Sequence, residues 1–139
     1  MNHTTNYNLP QWEATDAVKR EDVNGAMATV DAALKTVSDA AANVPEIVFG
    51  TYTGDGQESQ TIYLGRKPKV VYVEPQNGVR YSSFGPYGGI AGQGSPGGVG
   101  FDIYLSLTDD GFIVYFKSSG STAIYTNYNN LKFHYFAIC

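Results

Sequence analysis

A repeat of apolar residues in the first third of the chain limits what this segment can fold into. The apolar positions follow one another at alternating steps of four and three residues. They are Val23, Met27, Val30, Leu34, Val37, Ala41 and Val44. This spacing places the side chains along one stripe of an α-helix and is typical of a coiled-coil seam. Because Pro45 cannot continue a helix, the sequence predicts a helical segment over residues 20–45.

The helical stripe, which we call the seam, has two interpretations. A helix of about 25 residues would be about 37 Å long, which is longer than a compact neighbouring domain is expected to cover. We therefore favour self-association of several chains through the seam. The alternative is a single amphipathic helix that packs on the rest of its own chain. The seam residues alone do not settle the number of chains.

Residues 46–139 have the pattern of an all-β domain. Apolar and aromatic runs of strand length are separated by turn residues, and they lie at 47–53, 59–64, 69–74, 79–84, 101–107, 112–117 and 132–138. The turn Asp109–Gly111 between two apolar runs predicts a hairpin. In the third run we expect Val71 and Val73 on one face and Val70 and Tyr72 on the other. The sequence predicts an antiparallel β-sandwich or jelly-roll-like domain.

Two stretches interrupt the strand pattern, at 85–100 and 118–130. The first contains eight glycines and lacks the lysine and following helix of a phosphate-binding loop. We interpret it as a mobile loop, as the lining of a subunit contact, or as a recognition loop in which Gly and Ser give adaptability and Tyr87 gives contact area.

Composition argues against several function classes. The net charge of −4 disfavours binding of nucleic acid through its phosphates. The single cysteine, Cys139, excludes an intrachain disulfide and a cysteine-based metal site. His134 is interpreted as a packed strand residue, and nothing pairs the carboxylates of Glu58, Glu74 and Asp102 as in a glycosidase. We predict a protein that is not an enzyme, with no metal and no cofactor.

Aromatic residues in or beside the irregular stretches favour recognition. Tyrosine rings stack on the apolar faces of sugars, and their hydroxyls form hydrogen bonds. The predicted receptor-binding residues are Tyr81, Phe84, Tyr87, Tyr125, Asn127 and Tyr128. Further short polar side chains that could orient a ligand are Asn129, Asn130, Ser119 and Ser121.

Residues 1–19 form a polar leader. Its asparagines and threonines disfavour a regular element before Leu9. A lone tryptophan needs a surface to pack on, so we predict that Leu9, Pro10 and Trp12 dock the chain onto a partner; the alternative is a disordered leader. The first residues lack the apolar stretch of a signal peptide, and no apolar run is long enough to span a membrane.

Three segments resemble a known family. Asn6–Val23, with Tyr7, Leu9, Trp12, Asp16 and Asp22, resembles the leader of tail-fibre and receptor-binding proteins from phages and prophages of Gram-positive bacteria. Gly50–Val73 resembles the opening of a small β module at the tips of such fibres, and Tyr135–Cys139 is similar to its last strand.

The resemblance implies a homotrimer in which a short helical bundle carries a β-rich tip. The tip would bind a glycan or protein of the host surface, and the leader would attach the trimer to a tail, baseplate or capsid protein. The expected location is the virion, after synthesis in the bacterial cytoplasm and release by lysis. Because the chain lacks a long shaft, the alternative is a head fibre on the capsid with a structural role.

Overall fold

The computed structural model describes residues 1–120 and 122–139. The chain divides into two units, Met1–Val44 and Pro45–Cys139. We call the first the helical unit and the second the β unit. The predicted leader and the predicted helix both lie in the helical unit.

The helical unit begins with a small hairpin. Strand β1 (Asn2–His3) pairs antiparallel with β2 (Pro10–Gln11). The turn between them is closed by a hydrogen bond from the Thr4 N–H to the Leu9 carbonyl at 2.8 Å. Asn8 adopts a left-handed conformation with φ 53°, which asparagine tolerates better than most residues. The prediction that no regular element precedes Leu9 is therefore wrong.

Helix α1 spans Arg20–Ala42, which confirms the predicted N-terminal helix. It ends before the predicted boundary, so Val44, the last of the predicted seam residues, lies beyond the helix. Glu21 and Asp22 lie in its first turn, where the helix dipole favours negative charge. At the other end the Asn43 N–H donates to the Ala40 carbonyl at 3.2 Å, and the Val44 N–H donates to the Ala41 carbonyl at 3.3 Å. No residue of α1 is buried. Among the described residues, no helix combines the length and apolar character needed to cross a membrane.

The β unit is built from short antiparallel strands. They are β3 (Ile47–Thr53), β4 (Ser59–Tyr63), β5 (Val70–Pro75), β6 (Tyr81–Ser82), β7 (Gly85–Pro86), β8 (Gly89–Gly92), β9 (Gly97–Val99), β10 (Asp102–Leu107), β11 (Gly111–Lys117), β12 (Ile124–Tyr125) and β13 (Lys132–Ile138). One sheet has the order β3-β13-β5-β8. A second has the order β12-β11-β10-β9, with β4 also paired to β11, and β6 pairs with β7.

One hydrophobic core takes residues from both larger sheets. The four-stranded sheet contributes the buried side chains of Tyr52, Val71, Val73, Ala91, Phe133 and Ala137. The five-stranded sheet contributes Leu105, Phe112 and Val114. The ring of Tyr52 stacks on Phe133 at 4.8 Å between centroids and meets Phe112 edge-on at 6.2 Å. The protein is thus mainly β with one N-terminal helix, as predicted.

Several local predictions are confirmed. Strands β3 and β13 have the predicted bounds. Leu107 pairs with Phe112 across the predicted hairpin. Val71 and Val73 are buried, and Val70 and Tyr72 alternate with them as half-buried residues.

The glycine-rich stretch differs from the prediction. Instead of an irregular loop, it contains β7, β8 and β9, and β8 pairs with β5. Glycine is required here for close packing: a Cβ on Gly97 would collide with the Tyr104 ring, and one on Gly88 with the Val73 carbonyl. The predicted strand at 79–84 is reduced to β6.

Candidate functional site

Four aromatic rings meet at one place on the β unit. Tyr87 stacks on Tyr125 at 4.7 Å between centroids and lies 6.1 Å from Tyr128. Tyr128 meets Tyr125 at 5.7 Å and Phe116 at 5.9 Å, both nearly edge-on. We call these four residues the aromatic cluster. Three of its members, all tyrosines, belong to the predicted receptor-binding set.

A surface groove runs beside the aromatic cluster. Its volume is about 360 Å³, and its lining consists of Asn77, Val79, Ser82, Tyr87, Tyr128, Asn129, Asn130 and Leu131. Among the described residues that line it, none has a carboxylate, ammonium, guanidinium or imidazole group. We call it the tyrosine groove. It combines two aromatic rings with amides and a hydroxyl, a set suited to a neutral, hydroxyl-rich ligand.

Burial disfavours ionisation of Tyr87 in the tyrosine groove. Desolvation raises the pKa of Tyr87 above its usual value, and the neighbouring Tyr125 and Tyr128 raise it further. An ordinary tyrosine ionises near pH 10. The Tyr87 hydroxyl therefore remains a hydrogen-bond donor throughout the physiological pH range.

A buried threonine fixes the backbone between two of the rings. Thr126, which follows Tyr125, is fully buried. Its hydroxyl lies 2.6 Å from the Tyr104 carbonyl oxygen and accepts a hydrogen bond from the Tyr115 N–H at 2.9 Å. The Tyr52 hydroxyl donates to the Thr126 carbonyl at 2.6 Å. The aromatic cluster is thereby tied directly to the core.

Asn127 is buried rather than exposed to a ligand, which differs from its predicted role as a receptor-binding residue. Its side chain is fully buried. The amide nitrogen donates to the Asp55 carboxylate at 2.6 Å and to the Gln57 carbonyl at 3.0 Å. The amide oxygen accepts from the Asp55 N–H at 3.1 Å. Because these partners occupy the amide, Asn127 holds the turn after β3 against the segment that carries Tyr125 and Tyr128.

Two other predicted receptor-binding residues lie outside the aromatic cluster. Tyr81 is in β6 and is 62% exposed. Phe84 lies in the turn between β6 and β7 and is 73% exposed. Neither lines the tyrosine groove. The structure therefore brings together Tyr87, Tyr125 and Tyr128, while Tyr81 and Phe84 are exposed on the adjacent hairpin.

The additional polar candidates are divided between two grooves. Asn129 and Asn130 line the tyrosine groove. Ser119 lines a different groove of about 480 Å³, together with the ion pair between Lys117 and Asp102. Ser121 lies outside the described residues.

Sequence reasoning missed four residues that line the groove, which are Asn77, Val79, Ser82 and Leu131. In the sequence, Asn77 and Gly78 form a turn signal between two of the predicted strands. The Asn77 side chain accepts a hydrogen bond from the Val79 N–H at 3.1 Å, a turn geometry that asparagine favours. The signal for a turn was present in the sequence, but nothing in it indicated that this turn meets residues 128–131.

In the helical unit, the predicted docking residues are half-buried. This applies to Leu9, Pro10 and Trp12. Leu9 and Tyr7 line an apolar groove of about 190 Å³ together with helix residues that include Val30, Leu34 and Val37. The leader thus lies along α1. Docking of the leader onto another protein stays a prediction.

The seam is exposed along most of its length. Met27, Leu34, Val37 and Val44 are each more than 60% exposed. Val23 is 39% exposed, Ala41 is exposed, and Val30 is half-buried. Within the described chain, no group of three or more His, Cys, Asp or Glu side chains could hold a metal ion.

Comparison with known proteins gave no match of any kind: no family model, no curated protein and no solved structure matches this chain.

Proposed function

We propose that this chain is a homotrimeric fibre protein of a phage virion and that it binds a neutral saccharide of the host surface through the tyrosine groove. The observation that carries the proposal is the tyrosine groove itself. Tyr87 and Tyr128 lie beside side-chain amides from Asn77, Asn129 and Asn130. Aromatic faces provide contact area for the C–H faces of a sugar, and amides provide donors and acceptors for its hydroxyls.

The charge of the groove supports a neutral ligand. A phosphate or carboxylate ligand is normally held by arginine, lysine or backbone N–H groups at a helix end. None of the described lining residues is a lysine, arginine or histidine. The lining also lacks the carboxylate pair of a sugar-cleaving enzyme, which favours binding without catalysis.

Assembly into a trimer would compensate for a weak single site. A groove of about 360 Å³ that is open to solvent offers few buried contacts to a ligand. Linking several such sites raises the overall avidity by about 100- to 10,000-fold without new contacts. The exposed seam of α1 supports this assembly, because apolar residues such as Leu34 and Val37 are more than 60% exposed in the single chain.

The architecture and the location in the virion are part of the same proposal. The single core shared by two antiparallel sheets supports a β-sandwich of jelly-roll type. The resemblance of the leader and of Gly50–Val73 to phage fibre segments supports a place in the virion, with the leader as the attachment segment. Particle copy number separates the two locations: a few trimers fit a tail tip, and tens fit a capsid-attached head fibre.

The test is binding of the full-length protein to purified neutral and anionic polysaccharides from Gram-positive cell walls. We expect binding to a neutral polysaccharide and at least a tenfold loss of affinity in Tyr128→Ala. Tyr63→Ala is the matched control, because Tyr63 is 72% exposed on β4 and does not line the groove. Equal binding by Tyr128→Ala and the wild type, or binding only to anionic polysaccharides, would contradict the proposal.

A further inference from the structure

The four-stranded sheet has a second face, opposite the core. Val71 and Val73 in β5, Phe133 and Ala137 in β13 and Ala91 in β8 point into the core. Because side chains alternate along a strand, the residues between them lie on the other face. We call this the outer face.

Residues that pair across neighbouring strands form rows that cross the outer face. Two neighbouring rows consist of apolar residues. In one row Phe49 pairs with Phe136, Phe136 with Tyr72, and Tyr72 with Ile90. In the next row Ile47 pairs with Ile138, which pairs with Val70. We call these two rows the sheet patch.

The sheet patch is both continuous and exposed. The ring of Phe136 lies 5.2 Å from Tyr72 and 6.3 Å from Phe49 between centroids. Phe49 is 76% exposed, Ile90 57% and Ile47 55%. The Tyr72 hydroxyl donates to the Glu74 carboxylate at 2.9 Å, so the ring presents mainly apolar atoms. The largest contiguous apolar patch that a protein exposes is often functional.

The apolar character is confined to one end of the sheet. The row after Phe49 contains Thr51, His134 and Glu74, and the last row contains Thr53 and Lys132. The sheet patch therefore lies at the end of the sheet where β3 begins. In the sequence, β3 is the strand that follows the helical segment.

The size of the sheet patch argues against a separate protein partner. Four strands about 4.8 Å apart and two rows about 7 Å apart give a patch on the order of 300 Å². A stable interface between two independent proteins needs about 800 Å² from each partner. The patch is too small for such an interface alone, but it is large enough to extend one that is already formed.

The length of chain between the seam and the patch identifies which interface it extends. Ile47 follows Ala42, the last residue of α1, by five residues, which span at most about 18 Å. Packed helices lie about 8–10 Å apart. In a parallel trimer joined along the seam, the three copies of Ile47 therefore lie within about 45 Å of one another. The chain connection alone keeps the three β units next to one another, and in each copy the tethered end of the β unit is the one that carries the sheet patch.

We propose that the sheet patch is a second self-association surface, which contacts the same face of the other copies in the trimer. The occupant is thus a second copy of this chain. The inference rests on the trimer of the proposed function and adds a contact between β units to the contact between helices. It also leaves the tyrosine groove free for a ligand, because the groove residues Asn77 and Leu131 lie next to the end of β5 and the beginning of β13, which is the end of the sheet opposite to the patch.

The test measures whether the sheet patch is shielded in the full-length protein. Cys139→Ser removes the native thiol, and Phe49→Cys then places a single thiol in the patch. Tyr63→Cys in the same background is the matched control, because Tyr63 is 72% exposed on β4 of the other sheet. The mass in solution and the rate of reaction with Ellman's reagent are measured for both proteins, each with and without Leu34→Glu in the seam.

We expect a trimer in which the thiol at position 49 reacts at least tenfold more slowly than the thiol at position 63. With Leu34→Glu, the mass should fall to one chain and the two rates should become equal. A trimer with equal rates would overturn the sheet contact and leave the helical assembly of the proposed function intact. A monomer without Leu34→Glu would overturn the assembly itself. Slow reaction at position 49 that persists in the Leu34→Glu monomer would place the shielding within one chain and would overturn the inference.

Discussion

The helical unit and the β unit bury their apolar residues to very different extents. In α1 no residue is buried, and Leu34 remains 64% exposed. In the β unit Phe112 and Phe133 are fully buried in a core shared by two sheets. The comparison shows that the β unit has a core of its own, whereas the apolar residues of the helical unit lack one within a single chain.

This difference has an energetic consequence. Burial of a large apolar side chain contributes about 1.5–3 kcal/mol to the free energy of unfolding. Several such side chains are buried in the core of the β unit. Isolated helices of limited length are marginally stable in water, and most helical stability in proteins comes from tertiary packing. We therefore expect the β unit to determine the main unfolding transition and the helical unit to respond to association.

The largest expected effect on unfolding is that of Phe133→Ala. Phe133 is fully buried and stacks on Tyr52 at 4.8 Å, and removal of such a ring leaves a cavity that costs about 3–5 kcal/mol. Denaturant titration of the full-length protein measures the change. Phe101→Ala is the control, because Phe101 is fully exposed and we expect a change of at most about 0.5 kcal/mol there. Equal losses in both variants would contradict the assignment of the core.

Tyr52→Phe should lower the free energy of unfolding by a smaller amount, and this amount should depend on pH. The ring and its packing remain, but the Thr126 carbonyl loses its donor at 2.6 Å, which costs about 1–3 kcal/mol at neutral pH. Burial raises the pKa of Tyr52, so the protonated phenol favours the folded state.

The sign of this linkage determines the pH range. The contribution of Tyr52 is fully present below the unfolded pKa of about 10 and is lost as the pH rises above it, by up to about 1.4 kcal/mol per pH unit. Denaturant titrations at pH 7, 10 and 11 should therefore show a smaller alkaline loss in Tyr52→Phe than in the wild type. Parallel losses in the two proteins would show that Tyr52 ionises as readily in the folded state as in the unfolded one.

Among these substitutions, Leu34→Glu should have the smallest effect on the free energy of unfolding of the β unit. A charge in the seam should dissociate the proposed trimer, because seam positions are desolvated in a coiled coil. The unfolding free energy of the β-unit core should change by at most about 0.5 kcal/mol. Light scattering reports the mass, and near-UV circular dichroism reports the core.

Ala32→Glu provides the matched control for the seam, since Ala32 is exposed on α1 and is not a seam residue. It should leave the mass unchanged. A trimer that survives Leu34→Glu, or dissociates equally with Ala32→Glu, would contradict assembly through the seam.

Local patterns in the sequence predicted most of the elements. The spacing from Val23 to Val44 predicted α1, and the alternation around Val71 predicted β5 and its buried face. These predictions succeed because the signals lie within one helix turn or one strand. Strand β8 was missed because Gly89–Gly92 has little strand propensity of its own; its place at the sheet edge depends on pairing with Val70–Val73.

The candidate site was harder to predict than the fold. Tyr125 and Tyr128 were identified from their position in an irregular stretch, and they do meet Tyr87. Asn127, between them, was misassigned because sequence does not reveal that Asp55 and Gln57 occupy its amide. Such contacts join segments far apart in the chain, and local composition carries no information about them.

The position of β13 has a consequence for synthesis. This strand lies between β3 and β5 in the four-stranded sheet, yet it is synthesised after all the other strands of the β unit. Ile47 can pair with Ile138 only after nearly the whole β unit has been synthesised, because these partners lie near its two ends in the sequence. Pairing between residues so far apart in the sequence slows folding. A nascent chain that stops before Lys132 has no strand to join β3 to β5, so prematurely terminated products should remain unfolded and open to proteolysis. We therefore expect the β unit to fold only after β13 has been synthesised.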